Sequence, residues 1–189
     1  MFGQKKGSSL ISIGFNNKAF AVCVLAISPL PTMAMDTCLQ GWWEADHATM
    51  AEQFKITMQA TSVSISGNAF LNLADAASGE YVVNDLALAP EIPNMPAMTV
   101  TLNGGGVFTM EADGGSYAAS MGTFSYSAKA VSDAFGEMDI PFDSANSPFG
   151  AGTGTYVCSG DELSFTEALD GSIADTILQR WTRLPGDPR

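Results

Sequence analysis

His47 is the sole histidine of the chain, and so the only imidazole available for acid–base or metal chemistry. It follows Trp43 and Ala45 at alternate positions. On an extended strand it therefore shares their face, while Trp42, Glu44 and Asp46 take the other. A catalytic triad needs a nucleophile beside such a base, and no Gly-x-Ser-x-Gly elbow occurs. A zinc site needs further His or thiolate ligands. A polar lining or capping role is the expected one for His47. Carboxylates come in close pairs, Asp161 with Glu162, Asp139 with Asp143, and Glu111 with Asp113. Paired acids can divide general-acid and general-base roles, but these lie in turn-like stretches that favour acids for backbone reasons. They are read as solvated surface. Met95-Pro96-Ala97-Met98 has a spacing used for soft Cu(I), yet without a nearby histidine it reads as thioether packing. Gly104-Gly105-Gly106 has no following Lys-Ser/Thr and opens no helix, which makes it a hairpin rather than a phosphate cradle. No calcium-binding loop is present. These residues assign no catalytic group, metal ligand or cofactor, and the chain is expected not to be an enzyme. A barrel hydratase or isomerase with His47 as its base is a minor alternative.

The N-terminus carries Lys5, Lys6 and Lys18 with no acid up to Lys18, then the apolar run Ala19–Ile27, Pro29, Pro31 and the small-residue exit Thr32-Met33-Ala34. This is the pattern of a secretory signal peptide over residues 1–34, leaving one domain over 35–189. The run is about half the roughly 20 residues of a membrane span, so no membrane span is expected after cleavage, an uncleaved anchor being the alternative. Twenty acids against eight bases give a net charge of −12. Such a surface repels phosphate backbones and anionic membranes, which argues against nucleic acid as a partner. Cys23 leaves with the signal. The remaining pair, Cys38 and Cys158, suggests one disulfide in an oxidising compartment, periplasmic or extracellular, with two separate thiols as the alternative.

The segments between these residues are almost all β. Trp42 and Trp43 open a first strand. Met50, Phe54 and Met58 recur at i, i+4 and i+8, one face of a short helix whose Thr49 and Glu52 have capping-box spacing. Beyond Ser62 the pattern alternates with period 2, punctuated by Asn103-Gly104, Asp113-Gly114, Ser159-Gly160-Asp161 and Asp170-Gly171 as turns. Met138–Phe142 contains Pro141 and reads as an edge or a strand end, and Pro185–Arg189 reads as a frayed tail. Roughly nine short strands without intervening helices exclude a parallel α/β sheet and leave a closed meander barrel or a two-sheet sandwich. A Cys38–Cys158 bridge, joining the first strand to a late one, favours the barrel.

Gly41-Trp42-Trp43 on the first strand and Arg183 near the last, with Arg180 as the alternative, resemble the lipocalins and fatty-acid-binding proteins of the calycin group. There a Gly-x-Trp triplet is crossed by a terminal basic residue that closes one end of the barrel. The resemblance implies an all-β, antiparallel up-and-down barrel with one short helix after the first strand. It makes Trp43 and Arg183 a structural clasp, held by cation–π attraction. It covers the two ends of the chain. The middle lacks the Thr-Asp-Tyr pattern of secreted lipocalins and the long helix before a final strand.

The functional expectation is an exported barrel that binds a small hydrophobic ligand without catalysis. Its cavity would be lined by His47, Phe54, Met58, Phe70, Tyr81, Phe108, Phe124 and Tyr126. The alternative is a periplasmic protein-binding barrel, such as a protease inhibitor acting through an N-terminal extension.

Overall fold

The computed structural model describes residues 35–74, 78–141, 152–168 and 176–189. The segment 1–34, read as a signal peptide, and the turn expected at Asp170-Gly171 lie outside them. Among the described residues nine strands and one helix follow in order: β1 (Gly41–Ala45), α1 (His47–Met58), β2 (Ser62–Leu73), β3 (Ser78–Glu91), β4 (Met98–Asp113), β5 (Ser116–Ser132), β6 (Gly136–Ile140), β7 (Gly152–Ser159), β8 (Glu162–Ala168) and β9 (Thr176–Arg183). Every pairing is antiparallel. β1 pairs with both β2 and β9, and β4 with β5, so eight strands close into a barrel of the up-and-down kind expected. The ninth, β6, lies on the same edge of β5 as β7. It pairs with Ala128–Ser132, and β7 pairs with Ser116–Ala119.

The wall is uneven. β2 to β5 run 12, 14, 16 and 17 residues, whereas β1, β7, β8 and β9 run 5 to 8. β1 reaches only Phe70–Leu73 of β2. Above it β2 and β9 part, and α1 packs into the gap against both. The apolar stripe read from the sequence faces inward: Met50 and Phe54 are buried and Met58 packs partly against the core. The cap differs from the expected one. Asp46, not Thr49, is the N-cap, its carboxylate accepting from the Thr49 N–H at 2.8 Å. A carboxylate held beside free N–H groups at a helix start is the stronger solution.

Asn103-Gly104 does not form a hairpin. β4 runs straight through it, paired on both sides. Gly104 has φ +132°, and a Cβ there would lie 2.1 Å from the Ser125 carbonyl oxygen. The Asn103 side chain bonds Asp85 twice: Asp85 N–H donates to Asn103 Oδ1 (2.7 Å) and Asn103 Nδ2 donates to Asp85 Oδ1 (3.0 Å). Asp85 itself has φ +47° within the register shift of β3, and further shifts interrupt β2 at Ser66/Asn68 and β4 at Gly106/Phe108. Bulges on neighbouring strands bend the long wall so that it can close. The turns at Gly114 and Gly160 form as the sequence indicates, each with positive φ.

One buried cluster runs the length of the barrel, from Leu39, Trp43, Leu73, Met110 and Leu163 at the lower end through Leu71, Val83, Phe108 and Trp181 to Leu86, Leu88, Val100, Leu102 and Phe54 at the upper. Met35 joins them at 2 % exposure. The tail is docked rather than frayed. Leu184 N–H bonds the Trp42 carbonyl, the Arg189 guanidinium lies 4.7 Å from the Trp42 ring centroid, and Arg189 Nη1 reaches Glu80 Oε1 at 2.9 Å.

Candidate functional site in the barrel interior

The two ends of the barrel separate structural from candidate functional residues. At the lower end the Arg183 guanidinium lies 4.1 Å from the Trp43 ring centroid and donates to the Gln40 and Cys38 carbonyls. Gly41 permits this, since a Cβ there would sit 3.1 Å from Arg183 Nη1. Trp43 Nε1 donates to the Leu39 carbonyl at 2.8 Å. The Cys38–Cys158 disulfide forms, with Cα atoms 6.1 Å apart, and suits an oxidising, exported environment. The Trp43 indole and the Arg183 guanidinium are both engaged here, Arg183 Nε also donating to the Gly160 carbonyl at 3.3 Å.

Above it, strand alternation sends a set of aromatic and polar side chains inward. Tyr81 pairs across from Leu71 and Gly106 and packs between Trp181 (ring centroids 5.6 Å) and Phe108 (6.0 Å). Phe124 and Tyr126 follow each other on the inner face of β5, 5.5 Å apart. Tyr117 stands edge-on to Phe165 at 5.1 Å. On β8, Leu163 and Phe165 are buried core residues, and Glu167 continues their parity inward. Its carboxylate rests where β7 has no side chain: a Cβ on Gly152 would meet Glu167 Oε1 at 2.3 Å, and one on Gly154 would meet Tyr117 Cε1 at 2.8 Å.

Burial raises every phenol of this set. Tyr117 is pushed to about 12, by desolvation and then by the charge of Glu167, and Tyr126 to about 12 by desolvation. Tyr81 rises further, through desolvation and then through Tyr126, Tyr117 and Glu167. Desolvation also lifts the Glu167 carboxyl above its usual value. Yet Tyr81, Tyr117, Tyr126, Phe124 and Glu167 are only half-buried. Under α1 a void of about 10 Å³ is lined by Ala45, Met50, Gln53, Tyr81, Gln179 and Trp181 among others. It has room for about one water. Beside it the buried Trp181 Nε1 has no hydrogen-bond partner among the described residues.

The predicted lining residues divide. Tyr81, Phe108, Phe124 and Tyr126 come together inside the barrel, and Phe54 and Met58 face it from α1. Phe70 is buried, but it lies opposite Glu44 and Val82, on the other face of β2 from Ala69 and Leu71. His47 is not inward either. The strand ends at Ala45, Asp46 turns to cap the helix, and His47 is the exposed first residue of α1. Helix onset breaks the period-2 alternation on which its inward placement rested. Tyr117, Glu167, Gln179 and Trp181 are interior residues outside the predicted set. Glu167 was detectable as the third member of the alternation Leu163, Phe165, Glu167.

Among the described residues, no cluster of three or more His, Cys, Asp and Glu side chains could hold a metal ion. Nor is any described helix long and apolar enough to cross a membrane. No protein-family model, curated protein or solved structure matches the chain.

Proposed function

We propose that this chain is an exported, lipocalin-like barrel that holds a small, largely apolar ligand and performs no catalysis on it. The observation that carries this reading is the inward ring of Tyr81, Phe108, Phe124, Tyr126 and Trp181, of which Tyr81, Phe124 and Tyr126 keep part of their surface accessible. Aromatic walls with a few polar groups are the usual make-up of small-molecule sites. The basic and apolar N-terminal pattern, together with the disulfide, supports export to the periplasm or beyond. The clasp between Gly41-Trp42-Trp43 and Arg183 supports the lipocalin-like assignment. A protease-inhibitor role has less support: Met35 and Leu39 are buried under the barrel floor and form no projecting arm.

The test is native mass spectrometry on protein purified from its own exported fraction, paired with displacement of an apolar fluorescent probe. A discrete co-purifying mass that the probe displaces is expected. A bare protein mass, with no probe binding, overturns the reading.

A further inference from the structure

We infer that the interior site takes an amine-bearing amphiphile, with Glu167 as counter-ion to the cationic head and the rings of Tyr81, Tyr117, Phe165 and Trp181 as walls. This rests on the ligand-binding reading above and specifies its headgroup. Three observations select the amine. First, Glu167 is an inward carboxylate, seated over the side-chain-free Gly152 and close enough to Tyr81 and Tyr117 for its charge to reach both phenols. Second, the described part of the chain has five cations, and none faces this space. Lys55 pairs with Glu52 on the exposed side of α1, and Lys129 pairs with Glu137. Arg180 borders the small void under α1, but it is an exposed residue, opposite in strand parity to the buried Trp181. Arg183 is consumed by the clasp, and Arg189 by Trp42 and Glu80. A carboxylate or phosphate head would therefore enter without a counter-ion and against Glu167. Third, aromatic faces attract a cation through the ring quadrupole, and desolvation strengthens that attraction. The overall charge of −12 adds long-range steering of the same sign.

The experiment compares three ligands with the same ten-carbon chain, decylammonium, decanol and decanoate, by isothermal titration. It is run in high salt so that diffuse surface attraction is screened. The wild-type protein is expected to bind the ammonium about tenfold or more tighter than decanol, with decanoate weakest. Glu167→Gln should bring the ammonium down to the affinity of decanol and leave decanol unchanged. Equal binding of ammonium and decanol by the wild type overturns the amine assignment and leaves the apolar cavity standing. A preference that persists in Glu167→Gln also overturns it, because the selectivity then comes from elsewhere. Binding of none of the three overturns both readings. The wild-type ranking needs no variant and stays decisive whatever Glu167→Gln does to folding.

Discussion

At the residue scale the molecule pays for its interior with titratable groups held in unfavourable protonation environments. Glu167 is the clearest case. Its carboxyl is raised by desolvation, so the folded protein holds that proton more tightly than the unfolded chain does. The favourable linkage is complete below the unfolded value and is lost as pH rises through the folded one. At neutral pH the ionised side chain is therefore a burden on the fold. Glu167→Gln is expected to raise Tm at pH 7 by roughly 1–3 °C, a modest figure because solvent reaches the group. The difference should vanish by about pH 4, which scanning calorimetry across pH would check. The phenols behave alike at the other end of the scale. Tyr117 and Tyr126 titrate near 12 instead of 10.0. Their contribution is intact below pH 10 and drains away as pH climbs toward 12. Phenolate absorbance should therefore stay flat past pH 10 in the native protein and appear together with loss of far-ultraviolet β signal. Phenolate appearing near pH 10 with the fold intact would mean that these hydroxyls are not buried.

At the element scale α1 fills a gap in the wall, and its ends decide how firmly it does so. Its C-cap, Gln59, sits at φ +53°, a left-handed conformation that costs a residue with a Cβ about 1 kcal/mol relative to glycine. Gln59→Gly should thus stabilise the protein by up to about 1 kcal/mol in urea titration, with the denaturant slope unchanged. The helix also shows where the sequence was legible. Met50, Phe54 and Met58 declared their face through spacing alone, and that face is the buried one. The start was less legible because Asp46 can be read either as a strand residue or as a cap, and choosing the strand carried His47 to the wrong side. Asn103-Gly104 was ambiguous for a related reason. The dipeptide signals positive φ, and positive φ serves a bulge in a long strand as well as a reversal between two short ones. Only the pairing of residues on both sides with β3 and β5 distinguishes these outcomes. Phe70 shows the remaining difficulty, since a parity error of one residue moves a side chain through the wall; Glu167 is missed when the strand is read as ending one residue before it. The residues that identified the barrel were those with few alternative uses: two cysteines, a tryptophan pair and a terminal arginine.

At the scale of the whole molecule the barrel depends on its narrowest seam. β1 and β9 pair over only three residues, Trp43–Arg183, Glu44–Thr182 and Ala45–Trp181, whereas β4 and β5 pair along almost their whole length. A closed barrel cannot hold with one open seam, so this one is reinforced by the disulfide and the clasp. The disulfide spans a sequence separation of 120 residues and, by loop entropy, stabilises by about 4–5 kcal/mol. Arg183 adds ring contact and three charge-assisted bonds, to the Gly160, Gln40 and Cys38 carbonyls, and Arg183→Ala should cost about 2–3 kcal/mol in urea unfolding. These two devices are not independent, because one of the Arg183 bonds ends on the Cys38 carbonyl, the backbone of the bridged residue. Freeing Cys38 lets that carbonyl move, and losing Arg183 leaves it without its donor. A double-mutant cycle between Arg183→Ala and the Cys38→Ser/Cys158→Ser pair should therefore show coupling of about 1 kcal/mol or more. The combined loss should be smaller than the sum, since once the bridge is gone Arg183 has less left to hold. Additive losses would mean that the bridge and the clasp secure the seam separately, and that the floor of the barrel does not act as one unit.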